Sequence, residues 1–229
     1  MLLARRGGRE RRPRKACVND TRRTAGNGFP PSGASSRVEV VNTTQRALDL
    51  RYGAEMERED VQAAIRSAFA GVRLGSGVSL RQAQIIDVRG RGMSHAEFES
   101  LPRSEVTEDW TAIPDSELVR DCVAHLDADG LRYYLPALML WLLDHYDDED
   151  RLFTEGADMT AIGTVSALAF SSEFETSYRE IFESFTHGQR AAIASFIEAL
   201  PRLVELDDED ATRVARSLER YWAQFLTRP

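Results

Sequence analysis

The sequence predicts a mostly α-helical fold: a single compact domain of six or seven helices around a buried central helix at about residues 131–146, with little or no sheet. The central helix is predicted by the densest apolar segment of the chain, in which every residue from Ala137 to Leu143 is apolar. Such a helix is buried on most of its circumference. Elsewhere apolar residues recur at spacings of three and four, and the connections are short. Helices of this kind pack on one another as an all-α domain.

The chain divides into a basic N-terminal segment, residues 1–55, and a domain, residues 56–229. The segment is rich in Arg, Gly, Ser and Pro and has almost no apolar periodicity, so we expect it to be disordered. Three interpretations of it remain open. The segment results from a start codon assigned too far upstream, with Met56 as the true start. Alternatively, it is a basic arm that binds nucleic acid or directs localisation, or it is an organelle transit peptide.

Two helices are predicted at the start of the domain. Apolar residues at helical spacing indicate the first over about residues 57–70. Ser79 and Gln82 have the spacing of a capping box, in which each side chain bonds the backbone N–H of the other residue. The second helix therefore begins here and ends near Asp87. Residues 88–109 are expected to be irregular apart from one short helical turn.

A further helix and a turn lead into the central helix. Pro114 suits the first position of a helix that we expect to continue to about Leu126. The sequence Asp-Ala-Asp-Gly at residues 127–130 indicates a turn, because Asp bonds nearby backbone and Gly adopts a positive φ without strain. Pro136 is then expected in the first turn of the central helix, where its missing N–H would have had no partner.

An acidic loop and a segment of uncertain type are expected after the central helix. Four consecutive acidic residues, 147–150, indicate a solvated loop. Residues 151–170 give no clear pattern, and the small and apolar segment from Met159 to Phe170 within them is expected to form a strand or a buried loop. Apolar and aromatic residues at helical spacing then predict a helix over residues 174–185.

Two helices are predicted to complete the domain. Thr186 and Gln189 have capping-box spacing, and the helix that they open is expected to end before Pro201. The last helix is expected to begin within residues 207–210, and its apolar residues continue at helical spacing to Phe225.

The charge distribution restricts the partners of the domain. Residues 1–58 carry a net charge of +7 and residues 59–229 a net charge of −15, which together give −8. An acidic domain repels phosphate, so nucleic acid is an unlikely partner except through the N-terminal segment, and a protein with a basic surface is favoured.

Cysteine usage and hydropathy indicate a cytoplasmic protein. Two cysteines, Cys17 and Cys122, are too few for a disulfide framework, which suggests a reducing compartment. The longest run without a charged residue, Tyr133 to Leu143, has eleven residues. A membrane-spanning helix needs about 20, so we expect no membrane segment.

The sequence contains no complete catalytic or metal-binding constellation. The Asp-x-Asp-Gly of residues 127–130 lacks the further ligands of a calcium loop, and no two of the four histidines have the spacing of a zinc helix. We therefore predict no catalytic residue, no metal and no cofactor, and an enzyme is disfavoured. Two weaker alternatives remain: an acid–base or metal site that combines His125 and His145 with nearby aspartates, and a Cys122–His125 thiolate pair.

Eight residues form the candidate binding or structural signature of the chain: Asp109, Trp110, Asp127, Asp129, Gly130, Arg132, Tyr134 and Pro136. Arg132 lies at the mouth of the most apolar segment, beside the carboxylates of Asp127 and Asp129. A buried guanidinium without a carboxylate partner is unfavourable. Arg132 is therefore expected either to form an internal ion pair that fixes the turn or to belong, with Tyr134, to a pocket for an acidic ligand.

Several segments resemble a bacterial domain family of unknown function. Its motifs run in the order G-x-S-L-x-x-A, D-W, L-D-x-x-G-x-R-x-Y-L-P and Q-x-x-A-I, and a final Y-W fits it too. Their counterparts here are Gly75–Asp87, Asp109–Pro114, Leu126–Met139, Phe185–Ile197 and Tyr221–Trp222. The resemblance covers roughly Val61 to Trp222 and leaves the N-terminal segment outside. The family has no established activity, so the resemblance implies identity and no function.

Two functional hypotheses follow from the sequence. The first is a non-enzymatic interaction or regulatory domain that binds a basic partner through acidic residues such as 147–150. The alternative is a small-molecule-binding domain or enzyme with a pocket around Asp127, Arg132, Tyr134 and His145.

Overall fold

The structure is a computed structural model that describes residues 55, 57–89, 92–120, 122–148, 150, 154, 156–170 and 175–226. These residues belong to one unit of the chain, Thr44–Pro229. The predicted basic segment lies outside the described residues except for Glu55. Within the described residues the regular structure is helical, and no strand occurs, which confirms the predicted mostly α fold.

The α-helices of the described residues are α1 (57–68), α2 (Leu80–Arg89), α3 (His95–Glu99), α4 (Asp115–Leu118), α5 (Ala128–His145), α6 (Ala157–Leu168), α7 (Glu175–Glu183), α8 (His187–Leu203) and α9 (Asp208–Arg220). Short 3-10 helices cover Trp110–Ala112, Val123–His125 and Trp222–Phe225. Because α3 and α4 are single turns, seven longer helices remain, as the sequence predicts.

Helix α5 is the centre of the core. Gly130 and every residue from Leu131 to Leu143 except Arg132 are buried. Helices α4, α6 and α8 and the 3-10 helix at Trp110–Ala112 all pack against it. A helix surrounded in this way requires apolar side chains around its whole circumference, which explains the unbroken apolar run.

The predicted position of Pro136 is wrong. The Asp127 side chain accepts a hydrogen bond from the Gly130 backbone N–H at 2.8 Å and so acts as the N-cap of α5. The residues expected to form a separate turn are therefore the first turn of the helix, and Pro136 lies in its interior. A proline there removes the N–H that would bond the Arg132 carbonyl. The dense packing around α5 offsets that loss.

The continuous helix predicted from Pro114 to Leu126 is wrong as well. Helix α4 ends at Leu118, and the chain resumes only as a 3-10 turn. Helix α6 explains the break, because the Thr160 hydroxyl donates to the Leu118 carbonyl at 3.1 Å. Gly156 packs so closely on this segment that a Cβ there would lie 2.1 Å from the Val119 carbonyl oxygen.

The segment from Met159 to Phe170, expected as a strand or a buried loop, is helical up to Leu168, because helix α6 covers residues 157–168. The helix is rich in small and β-branched residues, and its buried positions repeat at spacings of three and four, as at Ala157, Thr160, Ala161, Thr164, Val165 and Leu168. Burial between α5 and α9 thus overrides weak intrinsic helix propensity.

Pro201 lies inside the last turn of α8, not beyond its end. The last helix ends at Arg220, and a 3-10 turn continues to Phe225.

Candidate functional site

The Asp-Ala-Asp-Gly segment joins helix α5 to the loop before α2. Besides capping its own helix, the Asp127 carboxylate accepts a hydrogen bond from the Val78 backbone N–H at 2.9 Å. The two backbones touch at Gly77 and Gly130, since a Cβ on Gly77 would lie 2.6 Å from the Gly130 nitrogen. We call this contact the α5 junction. It uses Asp127 and Gly130 to hold two segments of backbone together.

The remaining residues of this segment point in different directions. Asp129 is exposed, whereas Arg132 is half-buried. No ion pair of Arg132 occurs among the described residues, and its buried Nε has no hydrogen-bond partner there. The expected ion pair with the turn aspartates is thus not formed among the described residues, and the Asp127 Oδ1 instead accepts hydrogen bonds from two backbone N–H groups.

Two adjacent tyrosines on α5 differ in how their hydroxyl groups are satisfied. Both are fully buried. The Tyr134 hydroxyl donates to the Glu117 carboxylate at 3.1 Å, whereas the buried Tyr133 hydroxyl has no partner among the described residues. Burial raises the pKa of Tyr133 to about 12 and raises that of Tyr134 as well, so both hydroxyls remain protonated at neutral pH.

Asp109 and Trp110 have a capping and a packing role. The Asp109 carboxylate accepts hydrogen bonds from the backbone N–H and the hydroxyl of Thr111, and these bonds lower its pKa. Trp110 is buried, and its indole N–H donates to the Phe69 carbonyl at 2.8 Å. The aspartate thus opens the 3-10 turn that inserts the tryptophan between α1 and α5.

The histidines and Cys122 make contacts other than the predicted pairings. His125 contacts Asp87 at 2.9 Å, and the Cys122 thiol donates to the Leu80 carbonyl at 3.2 Å. His145 is thirteen residues beyond Arg132 on the same helix, which separates them by about 20 Å at 1.5 Å per residue. The structure therefore does not bring His145 together with Asp127, Arg132 and Tyr134.

His145 instead lines a cleft between α4, the end of α5 and the start of α6. The cleft has a volume of about 380 Å³ and is lined by Asp115, Ser116, Val119, Trp141, His145, Asp148, Asp150, Thr154 and Ala157. Its floor is apolar, formed by buried Trp141 and Ala157 and half-buried Val119. Its rim carries three exposed carboxylates. We call it the acid-rimmed cleft.

A network of ring and carboxylate contacts orders the rim. His145 Nδ1 lies 2.7 Å from an oxygen of Asp148, and Nε2 lies 3.6 Å from an oxygen of Asp115. The imidazole ring packs on Trp141 with 5.2 Å between ring centroids. His145 thus contacts two of the three rim carboxylates beside the indole, whereas the Asp150 carboxylate has no ion pair with a described residue.

The sequence indicated part of this cleft. Asp148 and Asp150 belong to the predicted acidic loop, and His145 was a candidate acid–base residue. Trp141 and Asp115 were missed. The i, i+4 spacing of Trp141 and His145 places them on one face of α5 and was a usable signal. Asp115 has no such signal, because only tertiary packing brings it to His145.

No group of three or more metal-ligating side chains is close enough to hold an ion within the part of the chain that the structure describes. None of the described helices has the length and apolar character needed to cross a bilayer.

Comparison with known proteins places most of the chain in one family. A family model with the description "Family of unknown function (DUF6714)" matches residues 57–226. Searches of curated proteins and of solved structures found no match. The match includes the α5 junction, the acid-rimmed cleft and every described helix.

Proposed function

We propose that this chain, which belongs to the family of unknown function DUF6714, is a cytoplasmic interaction domain that binds a basic segment of a protein partner in the acid-rimmed cleft. One observation carries the proposal: the cleft combines an apolar floor at Trp141 with carboxylates at its rim. An arginine or lysine side chain has the complementary form, with an apolar stem and a charged head.

The floor and the rim would act on different parts of the bound side chain. The stem would pack on Trp141, Val119 and Ala157 and remove apolar surface from water. A guanidinium head could then form paired hydrogen bonds with the carboxylate of Asp150 and stack on the indole face. Arginine suits the cleft better than lysine, since its planar head makes both contacts at once.

The charge of the whole domain supports the same partner. Residues 59–229 carry a net charge of −15, which attracts a basic segment and accelerates its association at low salt. The affinity should therefore fall as the ionic strength rises, because salt screens charges beyond about 10 Å at 0.1 M.

One residue of the acidic loop has a structural role and does not line the cleft. Asp147 accepts a hydrogen bond from the Glu205 backbone N–H at 2.8 Å and so fixes the connection between α8 and α9. Its replacement would disturb the fold. Asp148 and Asp150 are the residues whose neutralisation tests the cleft.

A pair of labelled peptides tests the proposal. The first is Gly-Arg-Gly-Arg-Gly, and the second carries neutral citrulline at both arginine positions. In fluorescence anisotropy at low salt, the full chain should bind the arginine peptide at least about ten-fold more tightly, which corresponds to 1.4 kcal/mol. The double variant Asp148→Asn/Asp150→Asn should lose at least about ten-fold in affinity for the arginine peptide.

The control variant changes the net charge by the same amount as Asp148→Asn/Asp150→Asn, but at positions outside the cleft. Glu105 and Glu219 are exposed and do not line it, so Glu105→Gln/Glu219→Gln should change the affinity by less than about two-fold. Equal binding of the two peptides, or equal losses in the two double variants, would refute the cleft as the binding site.

A further inference from the structure

A groove on the opposite side of α6 carries a cluster of arginines. It has a volume of about 640 Å³ and lies where α9 meets the end of α6 and helix α7. Three arginines of α9 line it, Arg213, Arg216 and Arg220, and Glu209 is the one acidic residue among the described residues of its lining. We call it the arginine groove. Its positive lining contrasts with the net charge of −15 on residues 59–229.

The three arginines differ in their pairing. Arg213 is fixed in place, since it donates to the Ser166 hydroxyl at 2.8 Å, forms an ion pair with Glu209 and lies 3.6 Å from Asp210. Arg216 and Arg220 are exposed, and neither has an ion pair with a described residue.

The pairing of Arg216 with Arg220 brings like charges together on one helix. Arg216 and Arg220 are four residues apart, and like charges at this spacing destabilise a helix by a few tenths of a kcal/mol. Packing of the described residues requires neither guanidinium. A local feature that opposes folding stability is typical of a functional site.

Aromatic side chains extend the groove beyond the arginines. Phe170 and Tyr221 stack with ring centroids 4.8 Å apart, and the guanidinium of Arg179 lies over both rings, 5.7 Å and 6.0 Å from their centroids. Tyr178 forms part of the groove wall. Arg179 of α7 thus packs on the aromatic side of the groove.

An apolar cavity opens beside the groove. It has a volume of about 190 Å³, and its lining includes Leu126, Leu131, Ala167 and Ile181. Ser166 and Tyr178 line both the groove and the cavity, so the groove and the cavity adjoin at these two side chains. A ligand could place an anionic group among the arginines and an apolar chain past Tyr178.

We propose that the arginine groove and the apolar cavity together bind a small amphiphilic anion, a molecule with a carboxylate or phosphate group and an apolar chain. The guanidinium groups of Arg216 and Arg220 match the paired oxygens of either anion. The apolar chain removes the half-exposed walls of the cavity from water. This site is separate from the acid-rimmed cleft and does not depend on it.

Calorimetric titration of the full chain with simple probes tests the proposal. Octyl phosphate below its critical micelle concentration should bind at least about ten-fold more tightly than inorganic phosphate and than octanol, because each of these lacks one half of the ligand. Octanoate in place of octyl phosphate distinguishes a carboxylate site from a phosphate site, and tighter binding of either supports the proposal.

Two variants separate the halves of the site. Arg216→Gln/Arg220→Gln should weaken octyl phosphate binding at least about ten-fold, whereas Arg66→Gln/Arg81→Gln removes the same charge from exposed positions elsewhere and should change it less than about two-fold. Ala167→Leu, which fills part of the apolar cavity, should weaken octyl phosphate and leave inorganic phosphate unaffected.

Three results would overturn the proposal. They are no binding of octyl phosphate or octanoate at millimolar concentration, binding no tighter than that of octanol, and equal losses in the two arginine variants. Each variant is first checked for an unchanged unfolding midpoint, so that a loss of affinity reports on the groove.

Discussion

Replacement of Gly130 by alanine is expected to lower the free energy of unfolding by about 3 kcal/mol. A Cβ at this position would lie 2.3 Å from the Val78 carbonyl oxygen and 2.9 Å from the Asp127 carboxylate. Neither atom can move away cheaply, because the first belongs to backbone and the second bonds two backbone N–H groups. The α5 junction must open, and the Val78–Asp127 hydrogen bond is lost.

Urea unfolding of the purified chain measures this effect, with the free energy obtained by linear extrapolation. Gly188→Ala is the matched control, because a Cβ on Gly188 would have no neighbour within 4 Å. That variant lies in the first turn of α8 and should be unchanged or more stable by up to about 1 kcal/mol. A Gly130→Ala variant as stable as the Gly188→Ala variant would contradict the close contact at the junction.

Replacement of Tyr134 by phenylalanine is expected to lower the free energy of unfolding by about 2–3 kcal/mol. The Tyr134 hydroxyl donates a hydrogen bond to the buried Glu117 side chain at 3.1 Å. Without it, a buried acidic side chain loses its hydrogen-bond partner, and the cost of its desolvation is then no longer offset. Thermal and urea unfolding at neutral pH measure the loss.

The neighbouring tyrosine provides the control. Tyr133 is equally buried, but its hydroxyl has no partner among the described residues. Tyr133→Phe removes an unsatisfied polar group and should leave stability unchanged or raise it by up to about 1 kcal/mol. If both variants lose the same stability, the Tyr134–Glu117 hydrogen bond does not explain the effect.

Local patterns in the sequence predicted the helices that depend on local contacts. Both capping boxes form as expected, since the residues of each box are only three positions apart. The apolar composition of α5 likewise predicts that this helix is buried. The sequence therefore indicated the fold class and the central helix without any knowledge of tertiary contacts.

Contacts between distant residues caused the errors. The break after Leu118 depends on a hydroxyl from Thr160, forty-two positions along the chain, and no local pattern indicates it. The role of Asp127 depends on Val78, forty-nine positions away. The Asp127 carboxylate, close to Arg132 in sequence, suggested an ion pair between the two. In the structure this carboxylate accepts hydrogen bonds from backbone N–H groups of two segments instead.

In the candidate site, too, local sequence patterns indicated some residues, whereas contacts between distant residues determine the others. The acidic loop and His145 were identified because they are close in sequence. Their association with Asp115 was not, because it requires α4 to pack on the end of α5. The arginines of α9 share one helical face and could have been identified from their spacing, but the groove that they line is formed only when α6 and α7 pack beside them.

The most direct test of binding in the acid-rimmed cleft is a titration of the ¹⁵N-labelled chain with the arginine peptide, monitored through its three tryptophan indole N–H signals by NMR. Trp110 and Trp222 serve as internal references, because their indole N–H groups donate to backbone carbonyls in the core. Only the Trp141 signal should shift with added peptide, and the citrulline peptide should leave it in place. A shift at Trp110 or Trp222 with none at Trp141, or no shift at any of them, would contradict the proposed function.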